Sequence, residues 1–124
     1  NFNNASYNQF AEGHFLSKSL MQWFWNNYTT DPKQRAEIYA SPLQASVEQL
    51  QGLPDTLVQT AEFDLLRDEG EAYARKLDAA GVKVTSVRYN GMIHDFGLLN
   101  VISQIPGTQS AMQQAAAALK ANLK

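Results

Sequence analysis

The sequence predicts an α/β fold built on a βαβ unit with parallel strands, and three observations carry that prediction. Thr56-Leu57-Val58-Gln59-Thr60-Ala61 is short, rich in β-branched residues and flanked by turn signals, which reads as a strand. Asp68 to Ala80 carries a helical pattern that stops at Gly81, and Val82 to Tyr89 returns to strand-forming residues. A strand, a helix and a second strand in that order form a crossover, and crossovers join parallel strands.

The elements ahead of this unit differ in character. Leu16, Leu20, Trp23, Phe24 and Asn27 recur at spacings of three and four, which predicts a helix over 17–28 with one marked stripe that Trp25 and Tyr28 widen. Such a stripe packs into a core, or it forms a lid over an apolar pocket; the spacing serves both. Asp31-Pro32 is an N-cap followed by proline at the first helical position, opening a short helix towards Tyr39. Ser41-Pro42-Leu43 ends it, because the residue before proline is pushed out of the helical region. The first forty residues are rich in Asn, Gln and aromatics, so the expected organisation is linking helices over 1–40 and an α/β segment over 41–124.

Within the unit, Asp68 is an expected N-cap, with Glu71 three residues on as in a capping box. Ala72, Tyr73, Leu77 and Ala80 supply the expected inner face, and Gly81 the left-handed stop. Alternation in the second strand slips between Val84 and Val87, so its register is not fixed by pattern. Asn90-Gly91 reads as a tight turn launching the loop that holds His94. A last helix over 108–123 is expected to line one side with Met112, Ala115, Leu119 and Leu123. Parallel strands are normally buried on both faces, and two strands make a poor sheet. The chain is therefore expected to be part of a larger unit, and its start at Asn1 without Met or leader fits a processed or cut chain.

Composition removes several function classes. Ten Lys and Arg against twelve Asp and Glu give a formal charge of −2, which provides no basic footprint for nucleic acid or anionic membrane. No apolar run reaches the roughly 18 to 20 residues that a membrane span needs. The absence of cysteine removes disulfides and thiolate nucleophiles, and two histidines at 14 and 94 offer no metal-ligand spacing. No metal or other cofactor is expected. His14, in a polar stretch, is expected at the surface.

The chemistry that remains sits at the strand ends. Asp64 lies just past the first strand and His94 in the loop after the second, where ligands and reactive groups gather in open α/β sheets. A crossover sets the two ends side by side, so the carboxylate and the imidazole can meet. That pair can fix the imidazole tautomer and let the ring take a proton from a nucleophile. The same residues have plainer uses: a loop Asp caps a turn, and a loop His donates to a carbonyl.

Several spaced motifs favour the sharper use. Ser41-Pro42-Leu43, Gly52-Leu53-Pro54, Glu62-Phe63-Asp64-Leu65-Leu66-Arg67-Asp68-Glu69-Gly70, Tyr73-Ala74, Ala79-Ala80-Gly81 and Tyr89-Asn90-Gly91-Met92-Ile93-His94-Asp95-Phe96 occur in that order. Together they resemble the hormone-sensitive-lipase family of α/β-hydrolase esterases, with the similarity dense from 41 to 97. The resemblance implies the C-terminal portion of an α/β-hydrolase fold, with residues 1–40 contributing to the cap region. It implies that Asp64 is the acid and His94 the base of a Ser-His-Asp triad. The aromatic N-terminal helix suggests a pocket for short to medium acyl chains, with Trp23, Phe24 and Phe96 as candidates to line it. Two positions depart from the family pattern: Leu65 stands where proline is usual, which is expected to loosen the loop, and Asp95 stands where glycine follows the histidine.

The larger departure is an absence. None of the seven glycines belongs to a Gly-x-Ser-x-Gly, and Gly-Gly does not occur, so the nucleophile and the oxyanion donors of such enzymes are expected ahead of Asn1. The expectation is a carboxylic ester hydrolase whose acid and base lie in this chain, which alone is inactive. Its partners would be a small ester substrate and the missing N-terminal portion. The rival expectation is a non-catalytic module that associates with itself or another protein through an exposed sheet edge.

Overall fold

The computed structural model describes residues 2–123. Helices α1 (Ala5–Gln9), α2 (Lys18–Tyr28), α3 (Pro32–Arg35) and α4 (Val47–Leu50) precede strand β1 (Thr56–Phe63). Helix α5 (Arg67–Ala79), strand β2 (Val84–Ile93) and helix α6 (Pro106–Asn122) follow, with short 3₁₀ turns at Pro42–Gln44 and Asn100–Ile102. The expected crossover is present: β1 and β2 pair in parallel, with Thr56 opposite Val84 and Ala61 opposite Tyr89.

Strand β2 runs four residues further than the pattern suggested, and the reason is a bulge. Ala61 faces Tyr89 but Phe63 faces Ile93, so Glu62 alone spans Asn90, Gly91 and Met92. Gly91 takes φ +78°, which a side chain would oppose, and Glu62 Oε2 accepts from its amide at 2.7 Å. Asn90-Gly91 is thus not the tight turn expected after the strand. It is a kink inside the strand, and it leaves His94 directly past the strand's end.

Helix α5 ends as expected. The amide of Gly81 (φ +80°) donates to Asp78 and that of Val82 to Leu77, the paired bonds of a Schellman stop. Its start differs: Leu66 is the cap residue and Asp68 lies in the first turn. Asp68 is drawn off by Ser6, whose amide donates to Oδ2 at 2.8 Å, while Glu71 turns to Arg88 with two contacts of 2.7 Å. A capping box is instead formed by Ser46 and Gln49, opening α4.

Among the described residues the core is divided among three clusters. Ala45, Leu50, Leu77, Ala80 and Val82 form one under α5. Tyr7, Phe10, Leu16 and Leu65 form a second, joining the N-terminal segment to the loop after β1. Ala61, Met92, Phe96 and Ala111 form the third, between the strand ends and α6. Helix α6 meets the sheet through Thr108, Ala111 and Gln114, whose Oε1 accepts from the Tyr89 hydroxyl at 2.7 Å. The expected stripe is displaced by this contact: small side chains allow close approach, leaving Met112 and Leu119 exposed.

Helix α2 departs furthest from its core-facing reading. It is capped by Ser17, whose side chain accepts from the Leu20 amide, yet none of its residues is buried. Leu20, Trp23, Phe24 and Tyr28 are all exposed because no described element lies over that face.

Candidate active site

Asp64 sits in the three-residue loop between β1 and α5, and His94 is the first residue after β2. Parallel pairing brings the two strand ends together, and His94 Nδ1 lies 2.8 Å from Asp64 Oδ2. The plainer use of Asp64 is realised as well, because Oδ1 accepts from the Leu66 amide at 2.8 Å. One carboxylate oxygen therefore fixes the loop and the other receives the ring. A carboxylate oxygen that accepts from Nδ1 fixes the tautomer in which Nε2 is the unprotonated nitrogen of the neutral ring. The Asp64 hydrogen bond raises the His94 pKa above its ordinary value; burial opposes the rise, and the charges of Asp64 and Asp95 add to it.

The loop that carries Asp64 is tied down from the N-terminal side. Ser6 is wholly buried; its hydroxyl donates to the Leu65 carbonyl at 2.7 Å, and its amide to Asp68. Arg67 donates to the Glu62 carbonyl and contacts Asp68 at 3.0 Å. Burial pushes the Asp68 carboxyl up, but the Ser6 amide and Arg67 outweigh it and hold the group below the usual carboxylate range. Leu65 is fully buried against Tyr7, Phe10 and Leu16. Packing on every side thus contributes to holding the loop at the position where a proline ring was expected. Ser6 was not singled out in the sequence, since a lone serine in a polar stretch carries no spacing signal.

The remaining candidates are dispersed. Phe96, expected at a pocket, lies in the core cluster with Met92 and Ala111, its ring 5.6 Å from that of Tyr89. Phe24 lines an open hollow of about 310 Å³ together with Met21, Trp25, Tyr28 and Tyr39. Trp23 packs edge-on against Phe24 but does not line that hollow. His14 is half-buried rather than simply exposed: its ring stacks on Phe63 and meets Phe10 edge-on.

A family model described as the alpha/beta hydrolase fold matches residues 1–98. The chain belongs to that family. Among solved structures, a thermostable esterase from Pseudomonas putida ECU1011 superimposes with a TM-score of 0.98 at 69% identity, over 100% of this chain and 39% of that one. Among curated relatives, the arylesterase of Saccharolobus solfataricus is 42% identical over 73% of this chain and 29% of its own length. The carboxylic ester hydrolase LipN of Mycobacterium tuberculosis is 39% identical over 92% of this chain and 30% of its own. This α/β-hydrolase chain thus spans about a third of the length of its relatives. The resemblance to hormone-sensitive-lipase-type esterases holds, and the two-stranded parallel sheet is a fragment of the α/β-hydrolase fold.

Proposed function

We propose that this chain supplies the acid and the base of a carboxylic ester hydrolase, with Asp64 orienting His94 and His94 moving the proton. The observation that supports this reading is the 2.8 Å contact between Asp64 Oδ2 and His94 Nδ1 at adjoining strand ends. In the proposed reaction a serine hydroxyl attacks the ester carbonyl, Nε2 accepts its proton, and the resulting imidazolium protonates the leaving alcohol. The serine and the oxyanion donors come from outside these 124 residues, which hold no Gly-x-Ser-x-Gly. Residues 1–40 serve as a cap-type segment, with Phe24 and Trp23 as its acyl-side candidates.

In the complete enzyme, Asp64→Asn is expected to lower kcat on the order of 10⁴-fold, because it spoils the tautomer and leaves the imidazolium unsupported. A loss below tenfold would reduce Asp64 to a turn residue. The 124-residue chain by itself is expected to show no turnover of a short activated ester. Without nucleophile and oxyanion donors, only weak general-base help is left. Turnover that disappears in His94→Ala would overturn that expectation.

A second reading, association with another polypeptide or a second copy, is favoured by the exposure of Trp23 (56%) and Tyr28 (72%) on α2. Sedimentation tests its second half, since a dispersed monomer at high concentration removes pairing with a second copy.

A further inference from the structure

We infer that Asp95 is a positioning residue of this same site: its carboxylate stands on the Nε2 side of His94 and favours the imidazolium, so the ring lies between two carboxylates. The inference rests on reading His94 as the base. Asp95 Oδ1 lies 3.3 Å from Nε2, opposite the 2.8 Å contact of Asp64 with Nδ1. The Asp95 contact is an ion pair without the alignment of a hydrogen bond, so its action is electrostatic.

The backbone gives a second observation. Asp95 has φ +60°, in the left-handed region. Aspartate is among the few non-glycine residues that adopt this conformation readily. A turn closed by the Phe96 amide on the Ile93 carbonyl (3.2 Å) holds it there. Aspartate at this position thus sets a carboxylate beside His94 in a backbone conformation that it adopts readily.

The consequence follows from the two protonation states. When His94 is neutral and donates through Nδ1, the lone pair on Nε2 faces a carboxylate, which is unfavourable. When Nε2 carries a proton, the same contact is attractive. Asp95 therefore stabilises the charged ring formed as His94 takes the nucleophile's proton. It also stabilises the charged ring at rest, so it moves the acid limb of activity to higher pH. The neighbouring charged groups are otherwise engaged: Glu62 accepts from the Gly91 amide, and Arg67 contacts the Glu62 carbonyl and Asp68. Asp64 is the other carboxylate acting on the ring.

The test is an NMR titration of the His94 ring in the complete enzyme that contains this chain, comparing the wild type with Asp95→Asn and Asp95→Gly. Asparagine keeps the shape and tolerates the backbone; glycine fits the left-handed φ. Both are expected to lower the midpoint by about half a pH unit, the size a half-exposed pair supports. The difference should shrink in 1 M salt, which screens an exposed contact. Midpoints identical to the wild type in both variants would overturn the inference, as would a shift in Asp95→Gly alone, which points to backbone change. The readout involves no turnover, so failure here is distinct from failure of the hydrolase reading, which the Asp64→Asn assay decides.

Discussion

The loop after β1 and helix α2 are both rich in apolar side chains, yet the chain treats them in opposite ways. Leu65 in the loop has no accessible surface, and Ser6, Asp68 and Arg67 hold the backbone around it. Helix α2 carries two tryptophans, a phenylalanine and a tyrosine, and buries none of its residues. Apolar content therefore does not decide which segment is fixed. What decides it is whether a facing element is present: α1 and the 11–16 segment cover the loop, while nothing described covers the outer face of α2. In this chain the loop beside Asp64 is held by contacts from the N-terminal segment, and the outer face of the aromatic helix has no such contacts among the described residues.

That contrast is tested most sharply by cutting into the loop. Leu65→Ala removes a fully buried side chain from the cluster with Tyr7, Phe10 and Leu16. It is expected to destabilise the 124-residue chain by about 2–5 kcal/mol in urea unfolding, because a cavity adds to the lost transfer energy. A loss below 1 kcal/mol would mean that the loop is not held from the N-terminal side. In such a case the comparison with α2 fails at its stronger half.

Ser6→Ala asks the same question through polar groups. The hydroxyl donates to the Leu65 carbonyl at 2.7 Å inside the fold, and its removal leaves that acceptor without its partner. The expected cost is about 1–3 kcal/mol in the same unfolding experiment. The His94 ring resonances should also shift, since the loop that carries Asp64 loses a tether. Unchanged resonances would confine Ser6 to stability.

How much of this was legible beforehand depends on whether the signal was local. The crossover, the Gly81 stop and the placement of Asp64 and His94 at neighbouring strand ends all follow from residues close in sequence to the feature they determine. The bulge at Asn90-Gly91 did not, because Asn-Gly is equally a turn signal and only the partner Glu62, far back in the chain, makes it a kink. Asp68 read as a cap for the same reason: nothing near it announces that the Ser6 amide will claim its carboxylate. The α2 stripe and the inner face of α6 misled in another way. Helical periodicity reports which side chains share a face, and it is silent on whether a partner lies against that face.

The smallest expected effect completes the comparison. Trp23 is 56% exposed and touches Phe24 edge-on. Trp23→Ser replaces it with a residue of similar helix propensity, so the helix itself gains and loses little. At low protein concentration the change in unfolding free energy should stay within about 0.5 kcal/mol, as for surface positions generally. The informative step is to repeat the measurement at a hundredfold higher concentration. If a second copy covers α2, the wild type gains stability with concentration and Trp23→Ser does not, because binding to the folded state alone adds stability by mass action. If the values stay together at both concentrations, α2 is uncovered in this chain and its aromatic face awaits a segment from elsewhere in the hydrolase fold. A large loss at the lower concentration is the outcome neither account permits, and it would show that α2 packs within the chain after all.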